Sequence, residues 1–540
     1  MNIQNRISQK FPSVGIDEKS DRIVLTVNSE SFRNLALFLY SDEELHFDFL
    51  RNLTGVDSGE EGFTVVYHLE STSNKSQLEV RALISDRQQP YIDTVSDLWK
   101  IASFNEREVY DFLGIVFLGH EDMRRLFLRD GWKGYPLRKD YVDKGDLDMS
   151  NEGNEDFTHT WSLDDLGNLS SSRHILFNAD EYIVNIGPQH PATHGVLRFR
   201  TSLEGEIIKK IDIHCGYIHR GIEKLCESLT YQQTIGYTDR LDYLAALQSR
   251  HALCMCIEKA MEIQVSDRVL YIRTIMDELQ RINSHLLFFS TLCMDLGALT
   301  AFFYGFRDRE KVLDILEETT GGRLILHYNI IGGVENDIHP DFVQKVKELL
   351  VYLPKVLVEY KKVFTDNIIA RNRMINVGVL TREDAISFGT TGPVGRASNW
   401  ACDVRKRIPY GVYDKVDFKE ITRKEGDSYA RYLVRMDEIE ESMKIIAALI
   451  DNIPEGNLRE KTKPIIRIPE GNFYSAVEAS RGEFGVYIES RGDKYPYRMK
   501  FRSTGLPLIA CVDTIAKDTK LADLIAIGGT LDYVVPDIDR

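Results

Sequence analysis

Apolar residues recur at every second position in three short runs near the amino terminus, Arg22-Ile-Val-Leu-Thr-Val, Phe63-Thr-Val-Val-Tyr-His-Leu and Glu79-Val-Arg-Ala-Leu-Ile. This period predicts strands, and residues 1–145 read as an α+β domain. From about residue 143 the text turns to Asp, Asn, Gly and Ser without periodic apolar positions, so residues 146–174 are expected to be a linker. Residues 175–540 open with strand text at 182–186, 196–203 and 206–213. Helical spacing then takes over, in Tyr243, Leu247, Cys254, Ile257 and Met261 and again in Ile272, Ile275, Leu279, Ile282 and Leu286. A mainly α domain with small sheets follows from this, and 485–490, 498–502 and 521–527 return to strand followed by helix.

The run from Ile282 to Phe306 is long enough to cross a membrane, with Asp295 as its sole carboxylate or fixed charge. Asn283, Ser284, His285 and two glycines lie in it as well, and Asp295 near the middle would cost about 2.5 to 3.5 kcal/mol on insertion scales. A helix buried in a soluble protein is the expectation. The amino terminus carries no secretory signal pattern, so a cytoplasmic chain with reduced thiols is expected.

At 540 residues the chain is long enough for two domains. Its 43% hydrophobic and 28% charged residues are ordinary for a folded protein, whereas a net charge of -16 argues against a nucleic-acid partner. No phosphate-binding loop and no strand-borne GxGxxG is present. The seven cysteines sit mostly in apolar helical text. Cys254 and Cys256 would point about 200° apart on a helix, so they read as core rather than as a shared metal site.

Chemistry concentrates in Asn185-Ile-Gly-Pro-Gln-His-Pro-Ala-Thr-His-Gly-Val-Leu-Arg, where His190 and His194 flank a turn rich in Gly and Pro. Two imidazoles so placed serve proton transfer, metal binding or simply backbone hydrogen bonds. His214-Cys-Gly-Tyr-Ile-His219-Arg220-Gly-Ile-Glu223 and Tyr237-Thr-Asp239-Arg-Leu-Asp242-Tyr243 interleave charge with apolar positions, so some of these groups must be buried and paired. For His219 and Arg220 one reading is an ion pair with Glu223 or Asp242.

Glu106-Arg-Glu-Val-Tyr-Asp-Phe-Leu-Gly-Ile and Leu128-Arg-Asp-Gly-Trp-Lys-Gly-Tyr-Pro-Leu-Arg-Lys-Asp-Tyr resemble the C (30 kDa) subunit of respiratory complex I, the proton-pumping NADH-quinone oxidoreductase of bacteria. The second domain resembles its D (49 kDa) subunit through Gly187-Pro-Gln-His-Pro-Ala-Thr-His-Gly-Val-Leu-Arg, Gly216-Tyr-Ile-His-Arg-Gly-Ile-Glu-Lys, Asp239-Arg-Leu-Asp-Tyr, Asp295-Leu-Gly-Ala-Leu-Thr and Asp537-Ile-Asp-Arg. The order is that of a C/D fusion. The resemblance implies a D part shaped like a nickel-iron hydrogenase large subunit without its metal, since Cys215 and Cys511 stand singly where that family has CxxC pairs. It further implies a quinone, menaquinone or ubiquinone, held by His190, His194 and Tyr243. Asp295 would be paired to His194, and His219 and Arg220 would lie near an iron-sulfur cluster of a neighbouring subunit. The implied partners are the B, I and membrane H subunits. NADH would bind elsewhere, and the chain would be peripheral on the cytoplasmic side of the inner membrane. A hydrogenase that keeps its metal, or a scaffold whose cavity has lost function, are the competing readings. Two departures stand out: the chain is short between Pro454 and Glu478, and Arg502-Ser-Thr-Gly-Leu-Pro replaces the family's Arg-Ala-Pro-Ser-Phe.

Overall fold

The computed structural model describes residues 3–18, 22–143, 145, 154–178 and 180–540. It divides into two compact units, one of residues 1–183 with 214–217 and 386–389, the other of the remainder. In the first, a five-stranded sheet runs in the order Gly15–Glu18, Ile23–Asn28, Gln77–Ile84, Phe63–Glu70, Phe49–Asp57. Ile23–Asn28 and Gln77–Ile84 are parallel and the other neighbours antiparallel. The three strands expected from alternation are all in this sheet. The helix Ala102–Leu113 lies on Phe49–Asp57. Its Asp111 accepts the backbone N–H groups of Leu126, Phe127 and Leu128 at 2.8–3.1 Å and Arg125 at 2.8 Å, which fixes the loop that follows.

The stretch read as a linker contains regular structure. Phe157–Leu163 and Leu169–Ile175 form an antiparallel hairpin, turned at Asp164, whose carboxylate accepts Leu166 and Asn168 N–H at 2.9 and 2.8 Å. Side chains on both strands are half-buried or exposed, Thr, Ser and His among them, so they carry no apolar alternation. Residues 146–153 of that segment lie outside the described residues.

The second unit opens with residues 184–213, which hold most of a three-stranded sheet of Tyr182–Ile186, Arg198–Glu204 and Ile207–His214. Its core is helical, built on the 29-residue helix Asp267–Asp295, with Leu299–Thr320, Ser428–Leu449 and Asp523–Leu531 packed on it. Ser266 caps that helix by accepting the Val269 N–H at 3.3 Å. A second sheet, Gly471–Ala479, Gly482–Ser490 and Arg498–Arg502, closes the unit. The unit is thus mainly α, with small sheets.

Two expectations change here. The apolar run 282–306 is not one helix. It ends at Asp295, turns at Gly297 (φ 81°) and restarts at Leu299, and among the described residues no helix is long and apolar enough to cross a membrane. Tyr243 is not on a helix either, but on the turn ahead of Ala246–Ala260. Residues 451–470 form neither helix nor strand. The altered Ser503-Thr504-Gly505 text is tied down by Asp537, which accepts Ser503 Oγ, Thr504 N, Thr504 Oγ1 and Gly505 N at 2.7–3.0 Å.

Candidate functional site

His194 stands at the end of a short 3-10 turn, Pro191–Thr193. The buried Thr193 hydroxyl lies 2.7 Å from the His190 carbonyl and 2.8 Å from that of Gly195. The His194 backbone is left-handed (φ 51°) and so is that of Gly195 (φ 143°), where a Cβ would come 2.6 Å from Val535 Cγ2. Strain of this kind persists only where surroundings impose it. The turn aims the imidazole at the carboxyl end of Asp267–Asp295, where His194 Nε2 meets Asp295 Oδ2 at 2.8 Å. His194 is 20% exposed at its side chain and Asp295 5%. A helix carboxyl end favours a neighbouring cation, and so does the carboxylate. Burial works to lower the His194 pKa, but the hydrogen bond and charge of Asp295, helped by Asp532, outweigh it and raise it above the usual value, with Arg481 opposing.

The helix Asp523–Leu531 closes one side through Gly529, where a Cβ would lie 3.1 Å from Asp295 Oδ2 and 3.9 Å from His194 Nε2. Only a residue without a side chain leaves the pair undisturbed there.

Tyr243 comes from the turn 239–245. Gln280 holds that turn by donating to the Leu244 carbonyl at 2.7 Å, and Asp242 by accepting the Leu244 N–H at 3.1 Å. Among the described residues the Tyr243 hydroxyl has no hydrogen-bond partner, and neither has His194 Nδ1. The hydroxyl is a donor left unspent, and so is His194 Nδ1 when the imidazole is protonated. Burial raises the Tyr243 pKa, Arg481 opposes, and Asp242 and Asp532 add to it, so the hydroxyl keeps its proton at neutral pH.

Arg481, Asp242 and Asp532 were not among the residues expected to form the site. Arg481 sits in the turn between the strands Gly471–Ala479 and Gly482–Ser490, a place that reads as surface, yet it is buried. Its Nη1 donates to both Asp242 oxygens at 3.2 Å and to Ser284 Oγ at 3.1 Å. Nε donates to the Asp532 carbonyl at 2.6 Å and Nη2 to Asp532 Oδ1 at 3.1 Å. Asp242, fully buried, is pushed up to about 6 by that burial, against the Arg481 charge.

The other expected residues lie apart from this pair. His190 is exposed and lines a cavity of about 510 Å³ with Val184, Ile186, Phe199 and Leu524. His219 Nδ1 bonds the Asp539 carbonyl, and the exposed Arg220 donates to the Arg240 carbonyl at 3.4 Å. The ion pair considered for Arg220 is not formed. Glu223 is held by Arg498 at 2.7 Å, Lys500 at 3.5 Å and Arg540 at 3.8 Å, and Asp242 by Arg481. All seven cysteines are buried thiols, and among the described residues no group of three or more His, Cys, Asp and Glu could hold a metal ion.

Comparison with known proteins places the chain. The model of the respiratory-chain NADH dehydrogenase 30 Kd subunit matches residues 25–146, and that of the 49 Kd subunit matches 295–467 and 461–540. Those matches define a class, respiratory-chain NADH dehydrogenase subunits with both parts on one chain. The C/D subunit of the NADH-quinone oxidoreductase of Phocaeicola vulgatus is 69% identical over 496 residues, 92% of this chain and 96% of its own. The C/D 2 subunit of the Aquifex aeolicus oxidoreductase is 37% identical over 99% of this chain and 98% of its own. The D subunit of the Desulfotalea psychrophila oxidoreductase is 44% identical over 68% of this chain and 100% of its own. The chain belongs to the C/D family of NADH-quinone oxidoreductase subunits.

Proposed function

We propose that this chain binds the headgroup of a quinone between His194 and Tyr243 and supplies the protons for its reduction. The supporting observation is the pair His194 Nδ1 and the Tyr243 hydroxyl, both without a hydrogen-bond partner and both facing Arg481 and Asp532, with Asp295 favouring the cationic form of His194. A quinone takes up two electrons and two protons to become a quinol, so each carbonyl oxygen gains charge that a donor must meet. The Tyr243 O–H and the His194 N–H are groups that strengthen their hydrogen bonds as that charge grows. When His194 gives up its proton, Asp295 is left as an unneutralised carboxylate at 5% exposure, and that electrostatic change is the signal passed towards proton translocation.

Electrons come from an iron-sulfur cluster in a neighbouring protein of the complex, the B subunit, beside His219 and Arg220. The I and membrane H subunits are the other contacts, and NADH is bound elsewhere in the complex. Binding to those subunits holds the chain on the cytoplasmic face of the inner membrane. The second unit is, on this reading, a hydrogenase-type fold whose metal position has passed to the quinone.

Tyr243→Phe tests the reading, because it removes one hydroxyl and keeps the ring. Quinone reduction by the assembled complex is expected to fall by about 10²-fold, the scale for loss of a preorganised donor, while an artificial acceptor upstream of the site is reduced at the normal rate. Normal quinone kinetics in that variant would remove Tyr243 from the site.

A further inference from the structure

We propose that Arg481 is the positioning residue of the headgroup site, one buried guanidinium that ties the Tyr243 turn, through Asp242, to the helix end behind the His194–Asp295 pair, through Asp532. The inference rests on the quinone reading above and adds to it a residue that touches neither donor directly. Three segments distant in sequence are joined by this side chain: the turn 239–245, the hairpin turn at Arg481 and the residue that ends Asp523–Leu531. The planar fork of arginine suits the task, since its N–H groups diverge in fixed directions and a lysine ammonium offers no such fork.

The two arms differ. On the Asp532 side Nε meets the backbone carbonyl at 2.6 Å, and Ser480 holds the hairpin turn to Gln248 through two hydrogen bonds of 2.9 Å. On the Asp242 side a single nitrogen is shared between two oxygens at 3.2 Å and a serine, longer than the usual 2.7–2.9 Å of a charge-assisted bond. The tight arm anchors the guanidinium. The loose arm lets the Tyr243 turn adjust around a headgroup, and burial pushes the Asp242 carboxyl up to about 6.

Arg481 also sets the charge felt by the donors. The groups facing His194 are Asp295 from the long helix, Asp532 from the end of Asp523–Leu531 and Arg481 from the hairpin, and Tyr533 lies beside Asp295. Those facing Tyr243 are Arg481, Asp242 and Asp532, and Asp537 faces Asp242. With cationic His194 as the active donor, the turnover number falls on the alkaline side as His194 loses its proton.

Three variants in the assembled complex test this, read as kcat for a short-chain quinone against pH, with the upstream acceptor as control. Arg481→Lys keeps the charge and loses the fork, and it is expected to lower kcat by about tenfold or more with the alkaline limb in place. Arg481→Met should lower kcat similarly and move the limb to higher pH, because a charge opposing protonation of His194 is gone. Asp532→Asn should move it to lower pH, and the left-handed backbone there (φ 60°) tolerates asparagine. An assembled Arg481→Met complex with kcat within about twofold of wild type, or with lowered kcat and an unmoved limb, overturns the proposal. If Arg481→Met does not assemble, an unmoved limb in Asp532→Asn does so. Tyr243→Phe run alongside separates the two readings: if it abolishes quinone reduction while the Arg481 and Asp532 variants behave as wild type, the site stands and the positioning role fails. If Tyr243→Phe is itself normal, the site fails.

Discussion

Two buried clusters of charge lie in the helical unit, and they are built to opposite ends. Around Arg396 every charge is answered: Arg396 meets Glu438 and Glu478 at 2.7 Å, and Arg405 meets Asp403 at 2.6 Å and Glu278 at 3.0 Å. Glu278 also accepts Tyr413 and Ser442 hydroxyls at 2.6 Å. Burial alone would raise the Glu278 carboxyl, but Arg281 and Arg405 with these hydroxyls bring it down to about 2. Around His194 the charges are also paired, yet His194 Nδ1 and the Tyr243 hydroxyl are left over. Burial and charge are common to both clusters, so neither marks the reactive one. Unspent donors do.

The largest effect that would sharpen this contrast is expected from Arg396→Met. It strands Glu438 and Glu478 without their guanidinium, and breaking a buried pair from one side costs about 3–5 kcal/mol. Little folded chain should accumulate, and whatever assembles should reduce quinone at the normal rate per complex. A well-folded Arg396→Met chain with selectively lost quinone reduction would dissolve the distinction.

Asp295→Asn should do the reverse. The amide keeps the shape and a hydrogen-bonding oxygen but removes the charge that favours the cationic form of His194, so quinone reduction should fall by about tenfold or more with the thermal midpoint little changed. Its alkaline limb should move to lower pH, since the main contribution raising His194 has gone. A smaller change is expected from Gly529→Ala. A Cβ 3.1 Å from Asp295 Oδ2 is tight but not prohibitive, so Asp295 shifts by tenths of an ångström and kcat drops by roughly two- to tenfold, as small displacements at a reacting centre do. Unchanged kcat in this variant would mean that the pair tolerates displacement and that close packing is no part of the site.

How much of this was legible in the sequence depends on where each signal resides. Strands whose buried positions alternate, such as the second half of Gln77–Ile84 with Val80, Ala82 and Ile84 inside and Arg81 and Leu83 not, announce themselves by period two. The hairpin Phe157–Leu163 with Leu169–Ile175 buries no apolar face and so reads as a linker. The run 282–306 is apolar on both sides of a break set by one backbone angle, at Gly297, which hydropathy does not register. His194, Tyr243 and Asp295 could be named because their motifs are local. Arg481 could not, because its partners are 239 and 51 residues away along the chain and a charged residue in a strand turn ordinarily faces water. The Arg396 cluster escaped for the same reason.

The smallest effect is the most direct test of the comparison, because it asks the two histidines for opposite answers. His285 also faces a carboxylate, Glu438 at 3.0 Å, but at 0% exposure. Burial lowers its pKa, and the charges of Arg435 and Arg281 add to that, against the hydrogen bond of Glu438. His194 is raised. By linkage, the folded state holds a proton on His194 more tightly than the unfolded chain does, so His194 contributes stability below its unfolded value near 6.5 that is lost as pH rises through the higher folded value. His285 contributes the reverse, a cost that grows as pH falls below 6.5 towards its lower folded value. Unfolding of the full chain followed from pH 8.5 down to pH 5.5 should therefore show wild type gaining on His194→Gln as the solution is acidified and losing ground to His285→Gln. Histidine-labelled magnetic resonance should give the same order of titration, His194 above 6.5 and His285 below. Parallel pH profiles for the two variants would mean that both imidazoles are held in the same charge state, and the open and closed clusters would then differ in hydrogen bonding alone.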